Sequence, residues 1–461
     1  MTLTCLWDSI ACAAPSMYPA FCAPGVRIEL AGFAAASCFA DQLESLRGRS
    51  VLLATRDQAS TAVALLELDG VARRIVLCTP DLNREQLIEI AGTAGTEAVV
   101  SDRPRKGALL PNAMWCVMTP RAMPATVERR SSTASEWILL TSGTTGSPKL
   151  VIHSLSSLAG TLPRPAASTA VWSTFYDIRR YGGLQIYLRA VLSGAPLVLS
   201  SPEESTVEFL ARVGAAGVTH ISGTPSHWRR ALMSGQTGRI NPAYVRLSGE
   251  VADQTLLDQL HAAYPNAKIA HAFASTEAGV AFDVDDGRAG FPAAFIGQAG
   301  TDISMKVVDG TLRIRSQRTA AGYLGGAPAM LAEEDGYVDT GDLVELSSGR
   351  YYFRGRKGGI INVGGLKVYP EEVEAVLNAD PRVRMSLVRA RRNPITGAIV
   401  VADIVLSDPL GMPGEAAAEK LRTDLLDLCR RTLPAHKVPA LLRFVPSLDV
   451  TAAGKMVRPD A

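Results

Sequence analysis

Between Ser50 and Ser101 the chain alternates between two textures, and this alternation restricts the fold more than any other feature. SVLLAT is short and apolar, DQASTAVALLELDG carries helical spacing, and RRIVLCT is again strand-like. NREQLIEIAGTAG returns to helical spacing and EAVVS closes a third strand. Strand, helix, strand, helix, strand predicts a parallel sheet covered by helices. The pattern recurs at APLVLS, STVEFLARVGAAG and VTHISG, which makes a doubly wound α/β body the expected fold.

A length of 461 residues exceeds what one core sustains, so at least two domains are expected. After about Gly341 the texture changes. GDLVEL and RYYFRG alternate like antiparallel strands, and Pro370-Glu-Glu-Val opens a helix with proline in its first turn and acids beside the N-terminal dipole. SLVRA and AIVVADIVL read as strands, and GEAAAEKLRTDLLDLCRRTL reads as a long helix. The tail is therefore expected to be a small α+β unit of about a hundred residues. Boundaries of 1–357 and 358–461 follow.

The charges nearly cancel, with 47 Lys and Arg against 45 Asp and Glu. No like-charged block reads as a nucleic-acid or membrane-surface tail, so small or diffusing partners are favoured. Seven cysteines show no Cys-x-x-Cys spacing, which argues against a zinc site or a disulfide framework and for a reducing cytoplasm. The first twenty-six residues are apolar but carry no Lys or Arg before Arg27 and include Asp8, which speaks against a secretory signal. No run reaches the roughly 18 uninterrupted apolar residues of a membrane span. Oligomeric state is left open.

Directly behind the apolar run Trp137–Leu140 stands TSGTTGSPK, residues 141–149. Backbone N–H groups of a Gly-rich turn converge on anions and hydroxyls add donors, so the stretch suits a phosphate cradle. It is not a Walker loop, because Pro148 precedes Lys149 and Leu150 follows it. A solvated Ser/Thr/Gly turn is the alternative for this stretch taken alone.

The stretch resembles the phosphate loop of the adenylate-forming (AMP-binding) superfamily, which includes acyl- and aryl-CoA synthetases, peptide-synthetase adenylation domains and luciferases. The likeness continues in order through RLSGEVA (246–252), FASTEAG (273–279), YVDTGDLVEL (337–346), FRGRKGGIINVGGLKVYPEEVEAVL and AAGKMVR (452–458). Five further motifs in family order are far more specific than any one of them. The resemblance implies a large N-terminal domain of α/β subdomains with a β-rich portion, followed by a small mobile C-terminal domain. It also implies ATP-dependent conversion of a carboxylic acid to an acyl-adenylate, then transfer to a thiol.

By that resemblance Thr141, Ser142, Gly143, Thr144, Thr145, Gly146 and Lys149 hold the β- and γ-phosphates. Thr276 donates to the α-phosphate and Glu277 helps hold Mg2+, whereas Ser-Thr-Glu taken alone is equally a helix N-cap. Gly249 and Glu250 line adenine, and Phe273 replaces the usual tyrosine while keeping a ring for stacking. Asp342 accepts the ribose diol and Arg356 faces the ribose. Lys455 resembles the lysine that enters the site only for adenylation and bridges the carboxylate and α-phosphate. Gly364 and Gly365 match the loop that passes the thiol, and Gly358 stands where the family's hinge usually has Asp or Lys.

Acid specificity is expected from 172–200, 224–232 and the residues before Phe273, with Tyr176, Tyr181 and His271 as pocket candidates or core residues. Asp177 is the nearest candidate for an amino-acid ammonium, but no acidic cluster surrounds it, so a fatty or aromatic acid is favoured. CoA is the default acceptor. The compact segment before Thr141 also suits loading of an acyl carrier protein's phosphopantetheine. A non-catalytic adenylate-binding protein and a luciferase-like oxygenase are the remaining classes, since fold alone does not select among them.

Overall fold

The computed structural model describes residues 5–11, 19–104, 110, 112–125, 133–141, 148–160, 162, 169–298, 302–325, 331–393, 397–407 and 414–448. Ser142, Gly143, Thr144, Thr145, Gly146 and Lys455 lie outside the described residues.

The alternation from Ser50 folds as expected. Strands Ser50–Leu53, Arg74–Leu77 and Ala98–Ser101 run parallel in a seven-stranded sheet, with Ser50–Leu53 between the other two. Helix Gln58–Leu68 gathers its polar residues on no single face and is buried at every residue, including Gln58, Ser60, Thr61 and Glu67. It shares one core with helix Tyr181–Leu192 and with residues of two sheets, such as Val51 and Leu77 on one and Phe21 and Leu197 on the other. The Tyr187 hydroxyl donates to the Ala62 carbonyl at 2.8 Å and ties the two helices together.

The second sheet has eight strands. Trp172–Thr174, His220–Gly223, Tyr244–Ser248 and Lys268–Ser275 lie parallel, and Gly279–Val284 closes one edge antiparallel. Five antiparallel strands, including Val338–Ser347 and Arg350–Arg356, form the β-rich portion beside it. Their core of Phe282, Phe291, Leu312 and Ile314 is mostly aromatic and branched.

The C-terminal unit has its own core. Helices Pro370–Asn378 and Glu415–Thr432 pack on strands Val383–Asn393, Gly397–Leu406 and Leu441–Phe444 around Val373, Leu377, Val401's neighbour Ala402, Leu425 and Cys429. Among the described residues no helix is long and apolar enough to cross a membrane, and Cys5, Cys22, Cys38, Cys78, Cys116 and Cys429 are free thiols.

Candidate active site

Two hairpins and one strand pair assemble the motifs. Strand Glu136–Thr141 returns through Lys149–Ser154 in antiparallel register, with Thr141 opposite Lys149, so the ends of the glycine-rich stretch are held side by side. The Lys149 ammonium lies over the Tyr323 ring, 5.3 Å from its centroid. The Tyr323 hydroxyl faces the Glu277 carboxylate at 3.4 Å. The phosphate stretch and Glu277, far apart in sequence, therefore share one aromatic neighbour.

Thr276 and Glu277 sit in a tight connection between strands Lys268–Ser275 and Gly279–Val284, where Ser275 pairs with Gly279. No helix follows. The N-cap alternative fails for that reason: Ser275 Oγ instead accepts the Ala278 N–H at 2.9 Å within the turn. Gly279 has φ +80°, and a Cβ there would fall 2.6 Å from Arg318 Cβ, so both conformation and space demand glycine.

A histidine that the sequence motifs did not single out fixes this turn. His153, one residue before the end of the strand leaving the phosphate stretch, places Nε2 2.7 Å from the Thr276 carbonyl. The carbonyl can only accept, so Nε2 carries the proton and Nδ1 faces Ser157 Oγ at 2.9 Å. Burial pushes the His153 imidazole down to about 4, which keeps it neutral and in this tautomer near neutral pH. Its only sequence signal is a lone histidine at the end of an apolar strand, which does not name a partner 123 residues away.

His227 is likewise pushed down to about 3, by burial and then by Arg230. The unfolded chain protonates these imidazoles below their ordinary value of 6.5 while the folded one refuses the proton. Their contribution is thus fully present above about pH 6.5 and is lost as pH falls toward 4. Compared with a His153→Gln variant, the native chain should lose urea stability faster over this window. Parallel pH profiles for the two would contradict a neutral buried His153.

Asp342 and Arg356 are register partners on strands Val338–Ser347 and Arg350–Arg356, with Arg356 Nε 3.1 Å from Asp342 Oδ1. The carboxylate side chain is 14% exposed and the guanidinium 66%. Arg356 is held above its usual value chiefly by Asp342, against some desolvation, and Glu277 and Glu371 add to the effect. Glu277 and the Asp342–Arg356 pair therefore act within one electrostatic neighbourhood. Arg356 was invisible as a partner of Asp342 in the linear chain, because cross-strand register brings together residues 14 positions apart.

The adenine candidates carry other duties too. Gly249 takes φ +87°, and the Glu250 carboxylate accepts from Ser226 N at 2.9 Å and Ser226 Oγ at 3.0 Å, at the start of helix Pro225–Met233. Phe273 stacks on Phe353 with centroids 5.2 Å apart and planes 8° from parallel. Phe353, the first residue of the FRGRKGG motif, is a second aromatic to which the sequence reading gave no role.

Tyr176, Tyr181 and His271 do not form one cluster. Tyr176 is buried and donates to the Ser248 carbonyl at 2.6 Å. Tyr181 is buried beside His153, with ring centroids 5.8 Å apart. His271 pairs in register with Leu247, which belongs to the opposite face of the sheet from Ser248, and its Nε2 reaches the Arg288 carbonyl at 3.0 Å. Asp177 is not open to an ammonium: Arg179 takes both carboxylate oxygens, Nε at 2.8 Å and Nη2 at 2.6 Å.

Gly364 and Gly365 form the two-residue turn between strands Ile361–Val363 and Leu366–Val368, with φ +57° and +85°. Positive φ at both central positions is what a type I′ hairpin requires, so the turn alone accounts for both glycines. Gly358 lies in the 3-10 turn Lys357–Gly359 with open space around its Cα. Gly355, inside the FRGRKGG motif but given no role there, has φ +117°, and a Cβ there would clash with Glu371 Oε2.

Residues 43–324 match the family model for AMP-binding enzyme and 372–455 match that for AMP-binding enzyme C-terminal domain. The chain belongs to the AMP-binding enzyme family. It is an AMP-forming acid–thiol ligase, with acid activation preceding thiol transfer. Among curated proteins it is 29% identical to 2-succinylbenzoate–CoA ligase of Listeria monocytogenes, over 71% of this chain and 69% of that one. It is 24% identical to acetyl-coenzyme A synthetase of Xylella fastidiosa, over 82% and 64%. Two solved structures share the fold. The o-succinylbenzoate CoA synthetase of Bacillus subtilis with its acyl-adenylate has a TM-score of 0.75 at 20% identity, covering 98% of this chain and 96% of that one. The anthranilate CoA ligase AuaEII with anthranoyl-AMP has a TM-score of 0.77 at 18% identity, covering 98% and 95%.

Proposed function

We propose that the enzyme activates an acyl or aryl carboxylic acid with ATP and passes the acyl group to CoA. The observation that carries this reading is the convergence of Lys149, the Thr276–Glu277 turn and the Asp342–Arg356 pair through Tyr323 and shared electrostatics. In the first half-reaction a carboxylate oxygen attacks the α-phosphorus, the bond to the β-phosphate breaks, and pyrophosphate leaves. Two anions must meet, so the work is alignment and charge neutralisation. Lys149 and Thr141 stand at the β,γ-phosphate end, Thr276 at the α-phosphate, and Asp342 with Arg356 at the ribose. In the second half-reaction the thiol sulfur attacks the acyl carbonyl and AMP leaves.

Mg2+ fits the donor set. Glu277 offers one carboxylate beside the phosphate stretch, and no group of three or more His, Cys, Asp or Glu forms a protein-only metal cage among the described residues. Such a site suits a cation completed by phosphate oxygens. When bound, the ion would neutralise phosphate charge, while Glu277 fixes its place.

The site residues, the division at 357/358, the thiol passage at Gly364–Gly365 and a cytoplasmic setting belong to the same proposal. Arg179's hold on Asp177 supports a non-amino acid, because the one acidic candidate for an ammonium is already neutralised. The hinge is testable directly. Proline fixes φ near −65°, which suits the observed 3-10 turn but removes the other backbone states a rotation needs. Gly358→Pro is thus expected to slow thioester formation at least about tenfold more than adenylation. Equal losses in both would place the hinge elsewhere.

The test of the whole reading is ATP-dependent pyrophosphate release with a panel of acids, run with CoA, with a phosphopantetheinylated carrier protein, and with neither. Acylated CoA is the expected product. Acylated carrier with CoA untouched would replace the acceptor, and no turnover with any acid would return the chain to an adenylate-binding role.

A further inference from the structure

Resting on that reading, the acid's far end can be assigned a charge. The strand that leads into Thr276, Lys268–Ser275, presents Ala270, Ala272 and Ala274 at alternate positions, three small side chains in line. Register places Ala270 beside Arg246, Ala272 beside Asp283 and Ala274 beside Val280. Ala274 packs against the core that contains Tyr181 and Leu184, so this row faces helix Tyr181–Leu192. A substrate with its reacting carboxylate at Thr276 that ran along this row would meet side chains no larger than a methyl group.

The row runs into cationic side chains. Arg318 Nη1 donates to the Val280 carbonyl at 3.0 Å, level with Ala274. Arg246, 2% exposed, pairs with Asp283 at 2.7 Å, level with Ala272. At about 3.3 Å per residue these levels lie about 7 and about 13 Å below Thr276.

Arg189 comes from the helix, eight residues after Tyr181 on the same stripe, with its side chain leaning back toward Tyr181. Its Nε is buried without a hydrogen-bond partner, and no ion pair holds the guanidinium among the described residues. Arg246, Asp283, Tyr244 and Arg318 all act on it. The Tyr181 hydroxyl is buried next to the Val280 amide and finds no partner at hydrogen-bond distance. Asp283, the carboxylate paired with Arg246, is 41% exposed, and Asp302, the weakest influence on Arg318, is exposed as well. Buried donors of this kind are costly unless something accepts from them.

We infer that this cluster receives a second carboxylate of the substrate, with Arg189 and Tyr181 as its donors, so that the enzyme activates acids charged at both ends. The occupant supplies the acceptors that Arg189 and Tyr181 lack. It also discriminates, because a methyl-ended acid would leave the same donors buried and unsatisfied.

The experiment is ATP–pyrophosphate exchange with matched pairs: straight-chain dicarboxylates of five to ten carbons against monocarboxylates of equal length, and aryl acids with and without a distal carboxylate. At least one doubly charged acid is expected to exceed its singly charged partner by about 100-fold or more in kcat/KM. Arg189→Met should cut that preference about 100-fold, mainly through KM, with Arg189→Lys intermediate and Tyr181→Phe milder. Circular dichroism and thermal melts confirm that each variant is folded. Preference for singly charged acids, or equal loss for both members of a pair in folded Arg189→Met and Tyr181→Phe, overturns the inference while leaving the ligase reading intact. Absence of exchange with every acid overturns the ligase reading, and the inference with it.

Discussion

Replacing Lys455 with alanine is expected to lower acyl-adenylate formation by about 10²- to 10³-fold while sparing thioester formation from a supplied acyl-adenylate. Adenylation brings a carboxylate against a triphosphate, so negative charge accumulates between the attacking oxygen and the α-phosphorus. An ammonium on a flexible four-carbon stem is the natural counter-charge, because it can approach one oxygen of each partner. The thiol step has no such encounter: its leaving group is AMP, and the electrophile is an acyl carbonyl. A residue needed for one half-reaction and idle in the other therefore separates the two rates. The measurement is pyrophosphate release with ATP and acid, alongside single-turnover thioester formation from synthetic adenylate. Undiminished pyrophosphate release by Lys455→Ala would remove this lysine from the mechanism, and parallel loss of both steps would make its role structural.

The largest stability effect is expected at Arg179. Its side chain is fully buried, chelates both oxygens of Asp177, and donates to the carbonyls of Thr55 at 2.7 Å and Arg56 at 3.1 Å. One guanidinium thus clamps the loop after strand Ser50–Leu53 to the segment that leads into helix Tyr181–Leu192. Arg179→Met leaves the Thr55 and Arg56 carbonyls without the guanidinium and the poorly solvated Asp177 carboxylate with the backbone N–H of residue 179 but no counter-charge, and costs about 3–5 kcal/mol. Most of that cost is the stranded charge. The double variant Arg179→Met/Asp177→Asn should therefore recover a substantial part of the loss, a coupling readable from a double-mutant cycle in urea. A single-variant loss below about 1 kcal/mol would mean that water reaches Asp177 and that the clamp contributes little.

The motifs were legible because each is a contiguous string with a local conformational demand. Gly364-Gly365 specifies a two-residue hairpin by composition, and Ser50 to Ser101 declares parallel strands by its period. Ser-Thr-Glu was ambiguous because the same three residues serve a helix start or a strand connection. What decided it was the strand Gly279–Val284 that follows. Asp177 looked available in sequence because its neighbour at i+2 could have pointed anywhere; burial of Arg179 against the Thr55 and Arg56 carbonyls sent it back onto Asp177.

By itself the sequence determined the class of chemistry, since a phosphate-binding turn, a Thr-Glu connection and a Thr-Gly-Asp strand are properties of neighbouring residues. The tertiary structure alone decided which side chains serve them. His153 meets Thr276 across 123 positions, Lys149 and Glu277 meet at Tyr323, and Arg189 joins Arg246 and Arg318 below an alanine-lined strand. Local propensity sets the path of the backbone over a few residues, but partners across a sheet or between layers are set by register and packing, which no short string encodes.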